Sequence, residues 1–364
     1  MELSLCMIVR NEEATLARCL ESVAGAVDEI VIVDTGSTDG TKEIALRYTD
    51  KVIDFPWRDD FSAARNEAFA HAAKPYLLWL DADDVLNAGD RAKLIALKPR
   101  LDGTVDAVMT PYYYAFDGSG RPSLIFERER IVRAAAGFRF EGAVHEAMAV
   151  SGRVIHEDIV IRHARAADAG HTGRNLAIYE RMIANGERLA KRDQYYYARE
   201  LADAGRHREA EAAFARFLDM DAGDDERQDA CIRRGRCLLA LGDYDGAKAQ
   251  LFGALAVRAG RAEAFCALGE VCMAQGKDED AMFYYRAALL CGEPPMGCAF
   301  TEPAAYDYIP LMQLCVLCDR RGDYCEASRM NERALLLRPD DANALRNRAY
   351  FEELFERSRL ICGS

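Results

Sequence analysis

Tyr76-Leu77-Leu78-Trp79-Leu80-Asp81-Ala82-Asp83-Asp84 runs from five uninterrupted apolar residues straight into three carboxylates. Five residues without a polar break suit a strand covered on both faces, as in a parallel sheet, better than a helix. Carboxylates crowded at one strand end repel one another, so a cation is their natural partner. Hard oxygen ligands of this kind suit Mg2+ or Mn2+, which bind a few carboxylates and complete their shell with phosphate oxygens and water. Acidic residues after a strand also act as helix N-caps, and Asp84 or Asp90 reads equally well that way.

Two earlier runs share the pattern. Leu3 to Val9 and Glu29 to Val33 are apolar and end in polar turns, Arg10-Asn11-Glu12-Glu13 and Asp34-Thr35-Gly36-Ser37-Thr38-Asp39-Gly40. Between the strands, Leu16, Cys19, Leu20 and Val23 recur at helical spacing, as do Ile44, Ala45 and Tyr48. Strand, helix, strand, helix predicts a parallel α/β sheet, and in such sheets ligands sit at the carboxyl ends of the strands. All three polar turns fall there.

From about Arg174 the strand signal gives way to Ala, Leu, Arg and Glu at helical spacing. Gly205, Gly242, Gly276 and Gly322 are each followed five residues later by Ala210, Ala247, Ala281 and Ala327, and preceded by seven by Ala198, Gly235, Gly269 and Cys315. Small residues at these offsets let two helices approach around a glycine turn, and the arrangement resembles the tetratricopeptide repeat. The glycine spacings are 37, 34 and 46, so an inserted loop is expected around Cys291 to Cys298. Cys315 and Cys318 could suggest zinc. One helical turn apart on a repeat face, they read better as small apolar core residues.

The 364 residues suit two domains. Expected boundaries are 1–166 for the sheet domain, 167–194 for a connecting helix and 195–364 for an all-α tetratricopeptide-like solenoid. A net charge of -13 argues against a nucleic-acid partner. The start, with no basic region and only a short apolar stretch, does not read as a signal peptide, and no apolar run suffices for a transmembrane segment. Twelve irregularly spaced cysteines fit reduced thiols and a cytoplasmic location.

Met7-Ile-Val-Arg-Asn-Glu-Glu13, Val31 to Thr41, Ala64-Arg-Asn-Glu-Ala68 and Leu80 to Asp84 resemble, in order and spacing, the successive motifs of family 2 glycosyltransferases with the GT-A fold. With a tetratricopeptide region behind it, the chain is similar to the sublancin-type peptide glycosyltransferases. The resemblance implies that Asp34 contacts uracil or another base, with Arg10, Asn11 and Glu12 lining the same pocket. It implies that Arg65 supports the nucleotide, that Asp81 binds the ribose or a metal-bound water and is also a candidate metal ligand, and that Asp83 ligates an Mn2+ or Mg2+ ion bridging the diphosphate. Taken singly, Asp34 would be an ordinary turn residue and Arg65 a surface ion pair.

Phe138 to Met148 looks like the acceptor-side motif of the same enzymes. Displacement with inversion needs a base opposite the leaving diphosphate, and Glu146, ahead of His145, is the candidate. The plainer alternative is a His-Glu pair that orders a loop. Ile159 to His163 reads as a closing strand that delivers His163 to the metal; a hydrogen-bonded structural histidine is the alternative, and His156 and His171 are weaker candidates. Arg130, among Arg128, Arg130 and Arg133, is singled out to approach the diphosphate. The expected reaction is transfer of a hexose from a UDP-sugar to a peptide or protein side chain, Ser/Thr or Cys, with a homodimer through the repeats as an option. A cell-envelope glycan or lipid-linked acceptor, and a catalytically silent nucleotide-binding scaffold, are the alternatives. A nucleotidyltransferase is disfavoured, because the turn after the first strand contains no glycine.

Overall fold

The computed structural model describes residues 1–116, 120–164, 173–221, 223–293 and 301–362. His171, Cys298 and the boundary expected at 166 lie outside the described residues. The chain divides into two compact units, Met1–Ala115 with Ile125–Tyr196, and Phe116–Leu124 with Tyr197–Ser364.

The first unit is built on strands β1 (Leu3–Val9), β2 (Glu29–Asp34), β3 (Val52–Asp54), β4 (Tyr76–Trp79), β5 (Asp84–Val85), β6 (Ala107–Phe116), β7 (Pro122–Arg133), β8 (Phe140–Glu141), β9 (Ala147–Met148), β10 (Val154–His156) and β11 (Ile161–His163). Their order is β3-β2-β1-β4-β7-β6-β11-β5, with β10 beside β6 and a separate β8-β9 pair. β3, β2, β1 and β4 are all parallel, in a register that sets Val9 opposite Asp34 and Cys6 opposite Trp79. The parallel pairing expected from the sequence holds here and again where β10 and β11 pair with β6. β4 pairs antiparallel with β7, and β11 with β5, so the sheet is mixed.

Alternation along β1 explains its continuous apolar reading. Leu3, Leu5, Met7 and Val9 join the core under α1 (Leu16–Ser22), with Leu16, Cys19 and Leu20. Cys6, on the other face, joins Val31, Val33, Leu77 and Trp79 against Ala64, Ala68 and Phe69 of α3 (Phe61–His71). A strand with a helical layer on each side has no face left for polar residues, so its polar groups collect at its ends. Between these helices lies α2 (Thr41–Ala45); α4 (Ala88–Leu97) follows β5, and α5 (Arg174–Ala184) and α6 (Lys191–Asp203) follow the sheet. The segment expected to be a connector, 167–194, thus groups with the sheet as far as it is described, and the division between units falls inside α6.

The second unit is helical: α7 (His207–Leu218), α8 (Asp224–Ala240), α9 (Tyr244–Val257), α10 (Ala262–Ala274), α11 (Asp278–Leu290), α12 (Tyr308–Arg320), α13 (Tyr324–Leu337) and α14 (Ala342–Cys362). The repeat glycines do what their spacing predicts. Gly205, Gly242, Gly276 and Gly322 each take positive φ between paired helices. The next amide then reaches back to a carbonyl of the preceding helix, as Asp243 N does to Leu238 O at 2.9 Å. Ala210, Ala247, Ala281 and Ala327 are fully buried. A Cβ on Gly269 would lie 2.7 Å from the Tyr285 ring, so only glycine fits there. Cys315 and Cys318 sit in the apolar core of this unit, as the non-zinc reading expects. Among the described residues no helix is long and apolar enough to cross a membrane.

Candidate active site

The turns after β1 and β2 are stitched together by side chains. Asn11, at φ 56°, accepts from Thr38 N at 2.8 Å and donates its own amide to Ser37 Oγ at 3.0 Å. Glu12 N donates to Thr41 Oγ1 and Gly40 N to Glu13 Oε2. Asp34, 4% exposed, accepts from Gly36 N and Ser37 N through Oδ1, both at 2.8 Å. Its Oδ2 is buried with no partner among the described residues. A buried carboxylate oxygen left without a donor is costly, and a ligand N–H supplies one. Burial, opposed by the Thr15 hydroxyl, and the neighbouring Asp83 and Asp81 carboxylates push Glu12 above its ordinary value. Arg10 and Asn11 are exposed at the same edge.

The three aspartates after β4 have three different surroundings. Asp84 is fully buried: Arg130 Nη1 lies 3.0 Å from its Oδ2, Tyr112 OH donates to its Oδ1 at 2.8 Å, and Asp81 N donates to Oδ2 at 3.0 Å. Asp83 is partly exposed, with Oδ1 3.2 Å from His163 Nδ1. Asp81 Oδ1 accepts from Arg65 Nη2 at 2.5 Å. Burial disfavours the Asp81 carboxylate, but Arg65, Arg130 and Arg128 outweigh it and hold its pKa well below the usual carboxylate range. Burial likewise opposes charge on His163, but its hydrogen bonds to Asp83 and Asp84 raise it to about 9.

Asp83, Asp84 and His163 bring ligand atoms within 4.8 Å of one another. Asp84 already has an ion pair and two hydrogen-bond donors, so Asp83 and His163 are the members with capacity for an ion. A carboxylate and an imidazole leaving room for phosphate oxygens and water fit Mn2+, and the carboxylate fits Mg2+. Asp81 is not in this group, and its role as a direct ligand has no geometric support here.

Arg65, on α3, joins the turn after β4 to the turn before β9. Its Nε donates to Glu146 Oε1 at 2.5 Å, and its guanidinium lies 4.7 Å from the Trp79 ring centre. Burial is outweighed by Asp81 and Glu146, which raise its pKa and keep it charged. This is a buried bridge, not the surface ion pair that Arg65 alone would suggest. Glu146 is 9% exposed, and His145 stacks on Tyr196 with ring centres 4.1 Å apart. His145 and Glu146 therefore lie on one turn, with Glu146 aimed at Arg65.

Arg130 requires a correction. It is 0% exposed, paired with Asp84 and enclosed by the Trp79 and Tyr112 rings at 4.0 and 4.3 Å, so it cannot reach a diphosphate. Arg128, half-buried with its guanidinium 4.7 Å from the Trp79 ring, is closer to the surface. Arg133 pairs with Asp106, and the exposed His156 pairs with Glu127. Sequence reasoning missed Tyr112, which bonds both Asp84 and, at 3.1 Å, His163. The run Tyr112-Tyr113-Tyr114 in β6 was its only local signal.

Residues 4–156 match the profile of glycosyl transferase family 2, and residues 262–290 match a tetratricopeptide repeat. The SPbeta prophage-derived glycosyltransferase SunS of Bacillus subtilis is 31% identical over 143 residues, which is 38% of this chain and 33% of that protein. The lipopolysaccharide core biosynthesis glycosyltransferase LpsC of Rhizobium meliloti is 32% identical over 162 residues, 42% of this chain and 59% of that one. A TPR repeat-containing protein of Synechococcus elongatus is 52% identical over 85 residues, 23% of this chain and 21% of that one. The chain thus spans between about a fifth and three fifths of these relatives' lengths. Residues 4–156 are a glycosyl transferase family 2 domain, joined in one chain to a tetratricopeptide-repeat region.

Proposed function

We propose that the sheet domain transfers a hexosyl group, with inversion, from a UDP-sugar to a side chain of a peptide or protein in the cytoplasm. The observation that carries this reading is the gathering of Asp34, Asp81 and Asp83 at the carboxyl ends of β2 and β4, with Arg65 bonded to both Asp81 and Glu146. Asp34 Oδ2 accepts a base N–H. Arg10, Asn11 and Glu12 border the same pocket, and Asp81 contacts the ribose or an ordered water. Asp83 and His163 hold Mn2+ or Mg2+, which when bound offsets negative charge on the departing diphosphate.

The acceptor oxygen or sulfur forms a bond to the anomeric carbon as the bond to the diphosphate oxygen breaks. The electron pair leaves with UDP, and Glu146, or His145 on the same turn, takes the acceptor proton. A cysteine thiol, with an ordinary pKa of about 8.5, asks less of that base than a serine hydroxyl. Helical repeats support a peptide acceptor, because such arrays present extended binding surfaces, and the same region is the candidate surface for a homodimer.

A second reading, a glycan acceptor, is favoured by the similarity to LpsC, a lipopolysaccharide core biosynthesis glycosyltransferase, of which the match covers 59%. The test is mass spectrometry of candidate peptides and of envelope saccharides after incubation with UDP-hexoses and Mn2+. A hexose on peptide supports the first reading, and one on saccharide alone the second. UDP binding with no transfer to either, and no UDP release, means a silent scaffold.

A further inference from the structure

The turn Gly142 to Glu146, which presents both candidate bases, offers five consecutive carbonyls to five donors. Gly142 O accepts from Ser62 Oγ at 2.6 Å, and Ala143 O from Phe61 N at 2.9 Å. Val144 O accepts from Tyr179 OH at 3.4 Å, His145 O from Arg192 Nε at 3.0 Å, and Glu146 O from Arg128 Nη2 at 3.3 Å. Two of the turn's residues have positive φ, Gly142 at 95° and His145 at 52°. Glycine takes this conformation freely, whereas a histidine seldom holds it without surrounding support.

That support comes from the first turns of α6. Arg192 reaches the His145 carbonyl through Nε and the Tyr196 hydroxyl through Nη2 at 3.3 Å, and its guanidinium carbon lies 4.8 Å from the Tyr196 ring centre. The same Tyr196 ring stacks on His145, with 13° between the planes. One guanidinium therefore binds both the backbone of the left-handed residue and the ring against which that residue packs. The φ of His145 sets the direction in which the chain delivers Glu146, so a return to negative φ swings Glu146 off Arg65 Nε.

Resting on the transfer reading above, we infer that Arg192 and Tyr196 are positioning residues for the reaction's base. They hold the turn in the conformation that keeps Glu146 beside Arg65. Their place in sequence, beyond the region matching the glycosyltransferase family, hides this role.

The test uses the full chain with Arg192→Met, Tyr196→Leu and Tyr196→Phe. A misplacement of about 1 Å at a reacting group costs about a hundredfold, so Arg192→Met and Tyr196→Leu should lower kcat by that order. Their affinity for UDP should stay within about twofold, because the nucleotide contacts are on other turns. Tyr196→Phe keeps the stacked ring and should recover most of kcat. Amide hydrogen exchange provides a readout independent of turnover: residues 142–148 should exchange faster in the first two variants while 3–34 do not change. Unchanged kcat in both, kcat and UDP affinity falling together, or protection at 142–148 equal to wild type would each overturn the inference. If the wild-type chain transfers no sugar, the functional reading falls, and the exchange result still decides whether the two residues hold the turn.

Discussion

Asp84→Asn and Asp83→Asn are neighbouring, isosteric changes that should have opposite consequences. Asp84 and Arg130 are both fully buried and 3.0 Å apart. Removing one partner of such a pair leaves the other charge uncompensated, at about 3–5 kcal/mol. Asparagine retains one acceptor for Tyr112 OH or for Asp81 N, so the hydrogen-bond loss adds only about 1 kcal/mol. For a domain of this size, each kcal/mol moves the melting temperature by about 2–4 °C, so a fall of roughly 10 °C or more is expected. Among the described residues Asp83 pairs with His163 and is partly exposed, so its substitution should cost no more than about 2 kcal/mol. It should nevertheless abolish metal-stimulated turnover. The assay is urea and thermal unfolding beside UDP release. The double variant Asp84→Asn/Arg130→Met should recover part of the loss, since replacing both charges removes the orphan. A loss below about 1 kcal/mol for Asp84→Asn, or equal losses for the two aspartates, would refute the division into one structural and one functional carboxylate.

Three further outcomes follow. Asp34→Ala should weaken UDP binding at least about tenfold by calorimetry, since a hydrogen bond to a charged group is worth about 1.5–3 kcal/mol; an unchanged affinity would remove Asp34 from the base pocket. Burial opposes the Glu29 carboxylate, but Lys51, Ser4 and Ala73 N hold its pKa down to about 2 from 4.5. Because the folded value is depressed, its contribution, on the order of 2 kcal/mol, is complete above about pH 4.5 and disappears as pH falls towards 2. Glu29→Gln should flatten that part of the urea stability profile. Gly269→Ala forces a Cβ to 2.7 Å from Tyr285 and should cost the helical unit about 1–3 kcal/mol by overpacking, with UDP affinity unchanged.

What was legible in the sequence was local. Leu3 to Val9 and Tyr76 to Trp79 read as buried strands because they are almost wholly apolar on both faces, Ser4 being the exception, and β1 has the bounds its pattern gave. The repeat glycines read as turns because their spacing also carried the small residues they bring together. The separate fates of Asp81, Asp83 and Asp84 were only partly legible. Asp84 is claimed by Arg130 and Tyr112, from strands that the topology brings alongside. Arg65 meets Glu146 across 81 residues of sequence. Arg130 was misread for the same reason: an arginine among other arginines in β7 reads as a diphosphate contact until the sheet shows that it is fully buried against Asp84. The grip of Arg192 and Tyr196 on His145 spans a shorter stretch, 47 residues for Arg192, but it comes from α6, a helix whose pattern suggested only a connector and the start of the repeats.

The central claim is that the carboxyl ends of β1, β2 and β4 form a metal-assisted sugar-nucleotide site. It is tested most directly by measuring UDP release from UDP-hexoses, with Mn2+ or Mg2+ present and after chelation, for the wild-type chain and for Asp83→Ala. The account predicts turnover that chelation removes and that Asp83→Ala, still folded, lowers by about a thousandfold. Full activity in Asp83→Ala, or turnover indifferent to chelation, would contradict it.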